Sequence, residues 1–340
     1  AELMVKEGRA DLVAFGRQSL ADPAMPKKAQ EERLEDMTPC IACLQGCVAN
    51  MYAGNPVCCL TNPFLGHEAE PLEKAEEPKK VMVIGGGVAG LSAAFIAKER
   101  GHEVTLYEAG DILGGNMRLA AYPPGKGDIT NMIRSYIHRC PKDGVKIVMN
   151  CEVTPELIKE EKPDSVIIAT GSKTLILPIE GIDNPAIIHG SDLLDGKRAA
   201  GKKVLVVGGG MVGCETAAFL GEQEHDVTVI EFRDTVGADV IHEHRVYLMK
   251  DFEDYGIKEI TGAKVCKFYE DGVEYETADG QRHETRGYDS VILSMGFRNY
   301  NPLEEKIKDL VPETHVIGDA IRARRALDAT KEAYEVASRI

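Results

Sequence analysis

The amino-acid sequence predicts an α/β protein with two parallel-sheet units, and an internal repeat carries that reading. Val81-Met-Val-Ile84 runs into Gly85-Gly-Gly-Val-Ala-Gly90, then an apolar helix, then Val104-Thr-Leu-Tyr-Glu108. Val204-Leu-Val-Val207 runs into Gly208-Gly-Gly-Met-Val-Gly213, a second apolar helix, and Val227-Thr-Val-Ile-Glu231. The copies are offset by 123 residues throughout, and 23 residues separate the first glycine from the acid in both. A β-branched run, a glycine turn, a helix and a second β-branched run make a βαβ unit, whose strands pair in parallel.

The chain before the repeat reads in three pieces. Ala1–Glu7 is a helix with Gly8 at its C-cap. Asp11-Leu-Val-Ala-Phe15 is a short apolar strand ending in Gly16-Arg17. A helix then a strand, with no start signal before them, suggests residues 1–35 are part of a larger α/β unit. Residues 36–66 gather five of the nine cysteines. Residues 67–80 are charged, carry two prolines and lack apolar periodicity, as an exposed linker does.

Composition narrows the function. A length of 340 suggests two or three domains at roughly 150 residues each. Hydrophobic residues at 44% are enough for ordinary cores. The formal charge of -15 argues against nucleic acid and anionic membrane surfaces as partners. No apolar run approaches the ~20 residues of a membrane span, and no secretory signal opens the chain. The expectation is a cytoplasmic protein, and homo-oligomerisation stays open.

Each glycine of the loops has a task. The first, Gly85 or Gly208, allows the tight turn out of the strand. The second, Gly87 or Gly210, lets backbone N–H groups approach a pyrophosphate. The third, Gly90 or Gly213, lets helix and strand pack closely. The helix N-terminus then faces the anion with unpaired donors, and Glu108 or Glu231 takes the ribose hydroxyls. A carboxylate repels a 2′-phosphate, so Glu231 favours a dinucleotide with a free 2′-hydroxyl, with Arg233 close enough to soften that choice.

The cysteine segment has the spacing C-x2-C-x3-C-x11-C over Cys40, Cys43, Cys47 and Cys59. Four thiolates on a loop-rich segment suit a tetrahedral zinc or an iron–sulfur cluster. Three crowded cysteines and a remote fourth are more like a [4Fe–4S] pattern than paired zinc knuckles. A redox disulfide between Cys40 and Cys43 is a third reading, and spacing alone does not exclude Cys58. Cys214 reads as a small helix-packing residue, and His102 and His225 as surface turn residues.

These motifs resemble the two-dinucleotide-binding-domain flavoproteins, the glutathione-reductase-like fold. The resemblance implies FAD on the first loop and NADH on the second. It further implies flavin contacts at Gly115 and Asn116, adenine contact at the Val153 backbone, the ATG strand end at Thr170 and Gly171, and a ribityl contact from Asp319 of the Gly318-Asp319 pair. The helix near Leu327 would point its N-terminus at the flavin. In this reading 81–195 and 296–340 form the FAD-binding domain, and 196–295 an inserted NAD(P)H-binding domain with Gly296 at the return.

The order of segments is similar to the carboxyl-terminal half of the iron–sulfur flavoenzymes related to 2,4-dienoyl-CoA reductase, 2-enoate reductase and trimethylamine dehydrogenase. That resemblance implies that residues 1–35 are the last strand and helix of an FMN-binding (β/α)8 barrel, with Gly16 and Arg17 on the FMN phosphate. Cys59-Leu-Thr-Asn-Pro63 matches the family's last cluster ligand and selects Cys59 over Cys58. The implied activity is electron transfer from NADH through FAD and [4Fe–4S] to FMN, for reduction of an activated C=C bond. The barrel would be a missing N-terminal half or a separate subunit. An amine-dehydrogenase direction with electrons leaving to a carrier protein, a simple NADH:acceptor reductase and a non-enzymatic electron-transfer subunit stay open. No catalytic acid is assigned.

Overall fold

A computed structural model describes residues 1–340. Each repeat builds a five-stranded sheet with its glycine strand at the centre. The first sheet runs Glu313–Val316, Ser165–Ile168, Lys80–Ile84, Glu103–Tyr107, Lys146–Val148, all parallel. The second runs Ile188–His189, Ser290–Leu293, Lys203–Val207, Asp226–Ile230, Lys258–Ile260, also parallel. Val81 pairs with Val104 as Val204 pairs with Val227, so the repeat holds in register as well as in sequence. Central strands covered on both faces need apolar residues at every position, and Val81–Ile84 and Val204–Val207 are buried throughout.

The last strand of the first sheet, Glu313–Val316, follows the whole second unit in sequence, so the second unit is inserted into the first. The crossing is a two-stranded antiparallel ribbon of Ser172–Thr174 and Phe297–Asn299. Ile188–His189 belongs to the second sheet, and Leu193 to its core. The second unit therefore takes in residues ahead of the expected start at 196. A three-stranded antiparallel sheet, Ala263–Tyr269, Gly272–Thr277 and Arg282–Thr285, lies within the same unit.

The cysteine segment shares the core of the first unit. Ile41 and Leu60 sit in one cluster with Leu91, Phe95 and Ile96 of the glycine helix Val88–Glu99, and with Ala333 and Ala337 of the C-terminal helix Ala326–Ala337. Tyr136 of the helix Asp128–Asp143 donates its hydroxyl to the Leu60 carbonyl at 3.1 Å. Gln18 fixes the segment from the other side: its Nε2 donates to the Thr38 carbonyl at 2.9 Å, and its Oε1 accepts from the Cys40 amide at 2.8 Å.

Two expectations are corrected. Asp11–Phe15 forms no strand. A strand exists by pairing, none of the four sheets includes this segment, and Leu12 is 90% exposed. The preceding helix, Glu2–Lys6, does form, with Gly8 left-handed behind it. His102 is fully buried rather than on the surface. Its Nδ1 accepts from the Lys79 amide at 3.0 Å, and burial lowers its pKa. His225 is half-buried and bonds the Gly201 carbonyl at 2.7 Å. The 67–80 segment is mostly exposed, though His67 stacks on Tyr334 at 4.1 Å.

Asp36 ties the cysteine segment to Asp128–Asp143. Its carboxylate meets Lys142, His138 Nε2 at 2.9 Å and Arg33 at 2.9 Å. The Lys142 hydrogen bond, then that from His138, holds its pKa well below the usual carboxylate range. A depressed folded pKa gives stability that is present above the unfolded value of ~3.9 and is lost as pH falls below it. Asp36→Asn should cost about 1–3 kcal/mol at pH 7. In urea melts the gap to the parent chain should narrow as pH falls below 4, and a pH-independent gap would refute the assignment.

Candidate functional site

Both glycine loops are built alike. A Cβ on Gly90 would lie 1.9 Å from the Gly85 carbonyl oxygen, and one on Gly213 1.8 Å from that of Gly208. Only glycine lets the helix begin so near the turn. Gly85 and Gly208 have φ of +108° and +105°. Glu108 accepts from the Gly86 amide through Oε2 at 2.7 Å and from Gly110 through Oε1 at 2.7 Å. Glu231 accepts from Gly209 at 2.6 Å and from Arg233 at 2.9 Å. Arg233 thus meets Glu231 through its backbone amide. Each acid is oriented by the loop it serves.

A cleft of about 400 Å³ opens at the first loop. Of the expected residues it is lined by Gly85, Gly87, Glu108, Gly115, Asn116, Thr170, Gly171 and Asp319. Gly90 lies beneath the turn, where it permits packing. Val153 lines an adjoining cleft of about 250 Å³ with Glu108, Tyr300 and Lys306. Gly318, at φ +63°, turns the chain so that Asp319 reaches the cleft. Asp319 accepts from Ser172 Oγ at 2.9 Å and from the Arg324 amide at 3.0 Å. Ala326 and Ala329 line the same wall, so the start of the C-terminal helix faces the cleft. A Cβ on Gly87, the second glycine, would meet no atom nearer than the Gly115 Cα, 4.0 Å away. That open cradle fits the pyrophosphate of a flavin dinucleotide.

Several lining residues were not expected from sequence. Arg324 and Arg325 supply cations, and Lys126 of the first unit pairs with the nearly buried Glu215 of the second across the cleft. Glu215 stands one helical turn after Met211, within an apolar stretch, and no spacing rule marks it. Gly296, at φ +99°, accepts from the Leu175 amide at 2.9 Å where the chain returns.

Cys40, Cys43, Cys47 and Cys59 converge on a small pocket with Ile41, Leu60 and Arg17. All nine cysteines are free thiols, so Cys40 and Cys43 form no disulfide. Burial pushes the Cys43 thiol up to about 11, opposed by a bond from the Gln45 backbone and reinforced by Cys59, Cys47 and Cys40 beside it. Burial also raises Cys59, which receives bonds from Thr61 and Asn62. Ala42 and Leu44 are left-handed, at φ 51° and 57°, in a loop whose alternating backbone suits an anionic sulfur site. Cys58 also borders the pocket, but its sulfur bonds Asn50 and the Gly46 carbonyl. No three His, Cys, Asp or Glu side chains are gathered as one metal ion requires. Four thiols around one apolar pocket, with backbone donors at Cys43 and Cys59, suit a multi-iron cluster better than a single zinc. Gly16 and Arg17 are exposed at the start of the helix Arg17–Ala21, apart from the first-loop cleft. Cys214 is buried and donates to the Gly209 carbonyl.

Residues 79–313 match the family described as pyridine nucleotide-disulphide oxidoreductase. The chain is 36% identical to an NADH oxidase of Thermoanaerobacter brockii over 349 residues, covering 100% of this chain and 53% of that protein. It is 34% identical to a cinnamate reductase of Clostridium sporogenes, covering 99% of this chain and 50% of the relative. The structure of a 2-naphthoyl-CoA reductase complex superposes with a TM-score of 0.95 at 34% identity, over 100% of this chain and 52% of that one. The chain spans about half the length of the curated relatives it matches. No helix is long and apolar enough to cross a membrane.

Anaerobically purified protein should carry about four iron and four sulfide per chain. Cys59→Ser should bleach its visible absorption, and Cys58→Ser should leave it intact. Stoichiometric zinc without sulfide would overturn the ligand assignment.

Proposed function

The chain belongs to the pyridine nucleotide-disulphide oxidoreductases, and on that premise we propose that it is the NADH-oxidising half of an iron–sulfur flavoenzyme. Family membership implies FAD and NAD(H) binding. The finer reading is a relay from NADH through FAD and a [4Fe–4S] cluster to FMN in a (β/α)8 barrel, which reduces an activated C=C bond of an enoate or enoyl-CoA. One observation carries it. Gln45 lies between Cys43 and Cys47, lines the first-loop cleft and bonds Cys43 through its backbone. The cysteine loop is thus a wall of the flavin cleft, which suits electron transfer between the two.

Bound in these places, FAD would supply hydride acceptance and the cluster one-electron transfer. The chain's residues bind and orient. The Gly87 backbone and the start of Val88–Glu99 would hold the FAD pyrophosphate. Glu108, already aimed by Gly86 and Gly110, would take the adenosine ribose, and Asp319 the ribityl chain. Val153 would meet the adenine, and Gly115, Asn116, Thr170 and Gly171 the rest of the cofactor. Gly208, Gly210, Gly213 and Glu231 would hold NADH, with Gly296 at the junction. Cys40, Cys43, Cys47 and Cys59 would hold the cluster, and Ile41 and Leu60 keep water from it. Gly16 and Arg17 would meet the FMN phosphate of the barrel. Relatives named NADH oxidase and cinnamate reductase support the reductive direction, as does the intact second loop.

These 340 residues should oxidise NADH with an artificial one-electron acceptor and should not reduce an enoate. Glu231→Arg should weaken NADH and improve NADPH, because repulsion of the 2′-phosphate becomes attraction. Steady-state kinetics with both nicotinamides measure this. An unchanged ratio of kcat/KM would show that Glu231 does not face the ribose, and enoate reduction by this chain would overturn the placement of the substrate site in the barrel.

A further inference from the structure

The internal repeat allows one nucleotide site to be compared with the other, position by position. After each acid the chain returns to its glycine loop: the Gly114 amide donates to the Gly86 carbonyl at 2.8 Å, and Gly237 donates to Gly209 at 2.7 Å. Two residues further on, the 123-residue offset pairs Asn116 with Asp239. Here the sites part. Asn116 turns its amide to Ser172, at 3.3 Å from both the carbonyl and Oγ, and leaves Gly87 facing open space. Asp239 instead turns inward. Its Oδ1 accepts from the Met211 amide at 2.9 Å, the first N–H of the helix Met211–Glu222. Its carboxylate oxygens lie 3.5 and 3.6 Å from where a Cβ on Gly210 would stand.

That is the place where a dinucleotide pyrophosphate meets a second glycine and a helix N-terminus. The placement is anchored on both sides. Arg245 holds the Val236 carbonyl at 3.1 Å, and Arg325, from the N-cap of the C-terminal helix, donates to the Asp239 carbonyl at 2.9 Å.

We propose that Asp239 is a resident anion of the second site, occupying the pyrophosphate position until the nicotinamide nucleotide displaces it, and so setting that nucleotide's affinity. The inference rests on the reading of the second loop as the nicotinamide site. A carboxylate at a helix N-terminus competes with an incoming phosphate for the same donors and repels it. The first site has an amide at that position and carries no such competitor. The consequence is a tightly held dinucleotide on the first loop and a readily exchanged one on the second.

The test is calorimetric titration of the flavin-loaded chain with NAD⁺, ADP and adenosine, for the parent and Asp239→Asn. With the oxidised nucleotide no hydride moves, so binding is read without turnover. Asparagine caps a helix as well as aspartate does, so the variant removes charge and keeps the fold. Asp239→Asn should bind NAD⁺ and ADP roughly three- to tenfold more tightly, with adenosine unchanged and the gain shrinking at high salt. Equal NAD⁺ affinity in both proteins would overturn the role of Asp239 and leave the nicotinamide site standing. An equal gain for adenosine would also overturn it, because the effect would not be at the pyrophosphate. If neither protein binds NAD⁺, the reading of the second loop falls and this inference with it.

Discussion

The contact on which both nucleotide units depend is the one between the third glycine of each loop and the carbonyl of the first. At Gly90 and Gly213 the helix backbone lies where a methyl group would stand within 2 Å of an oxygen. That approach puts the helix start directly over the end of the central strand. It therefore decides where the free N–H donors point, how the loop amide reaches Glu108 or Glu231, and where the cleft opens. The pairing Gly86–Glu108 and its copy Gly209–Glu231 differ by only 0.1 Å in length. A side chain at either glycine would tilt the helix and move every one of these groups together.

The second constraint is the burial of the cysteine segment. A loop with two left-handed non-glycine residues, Ala42 and Leu44, is unfavourable by itself. It is held because Ile41 and Leu60 are part of the first unit's core and because Gln18, Tyr136 and Asp36 fix its flanks. Burial disfavours thiolates at Cys43 and Cys59. The backbone donors from Gln45, Thr61 and Asn62 work against that cost, and iron bound to the sulfurs would remove it by replacing the protons. The segment is shaped by the fold around it, and its chemistry follows from that placement.

Much of this was legible in the sequence because it is local. The glycine loops, the acids 23 residues on and the four cysteines are fixed by spacing, and the offset of 123 predicts two copies of one unit. What was not legible depends on partners distant in the chain. Asp11–Phe15 has the composition of a strand but no neighbour to pair with. His102 looks like a turn residue until Lys79 is seen to bond it. Ile188–His189 is too short to announce itself and is defined only by Ser290–Leu293 beside it. The Lys126–Glu215 and Arg325–Asp239 contacts join units whose packing no window of sequence contains.

The charge balance shows how an acidic chain can still receive polyanions. At -15 the molecule repels phosphate at long range, so attraction has to be local. It comes from backbone donors at two helix starts and from Arg325 at the first cleft, Lys126 and Arg324 being paired with Glu215 and Glu332. These act within a few ångströms, where geometry selects the ligand. On the proposed reading the two sites then need different strengths, since a resident flavin must stay while a nicotinamide must leave after each turnover. The backbone of the two loops is nearly the same, so the difference has to come from side chains at matching positions. Asn116 and Asp239 are such a pair: one residue type turns away from the helix start, and the other fills it.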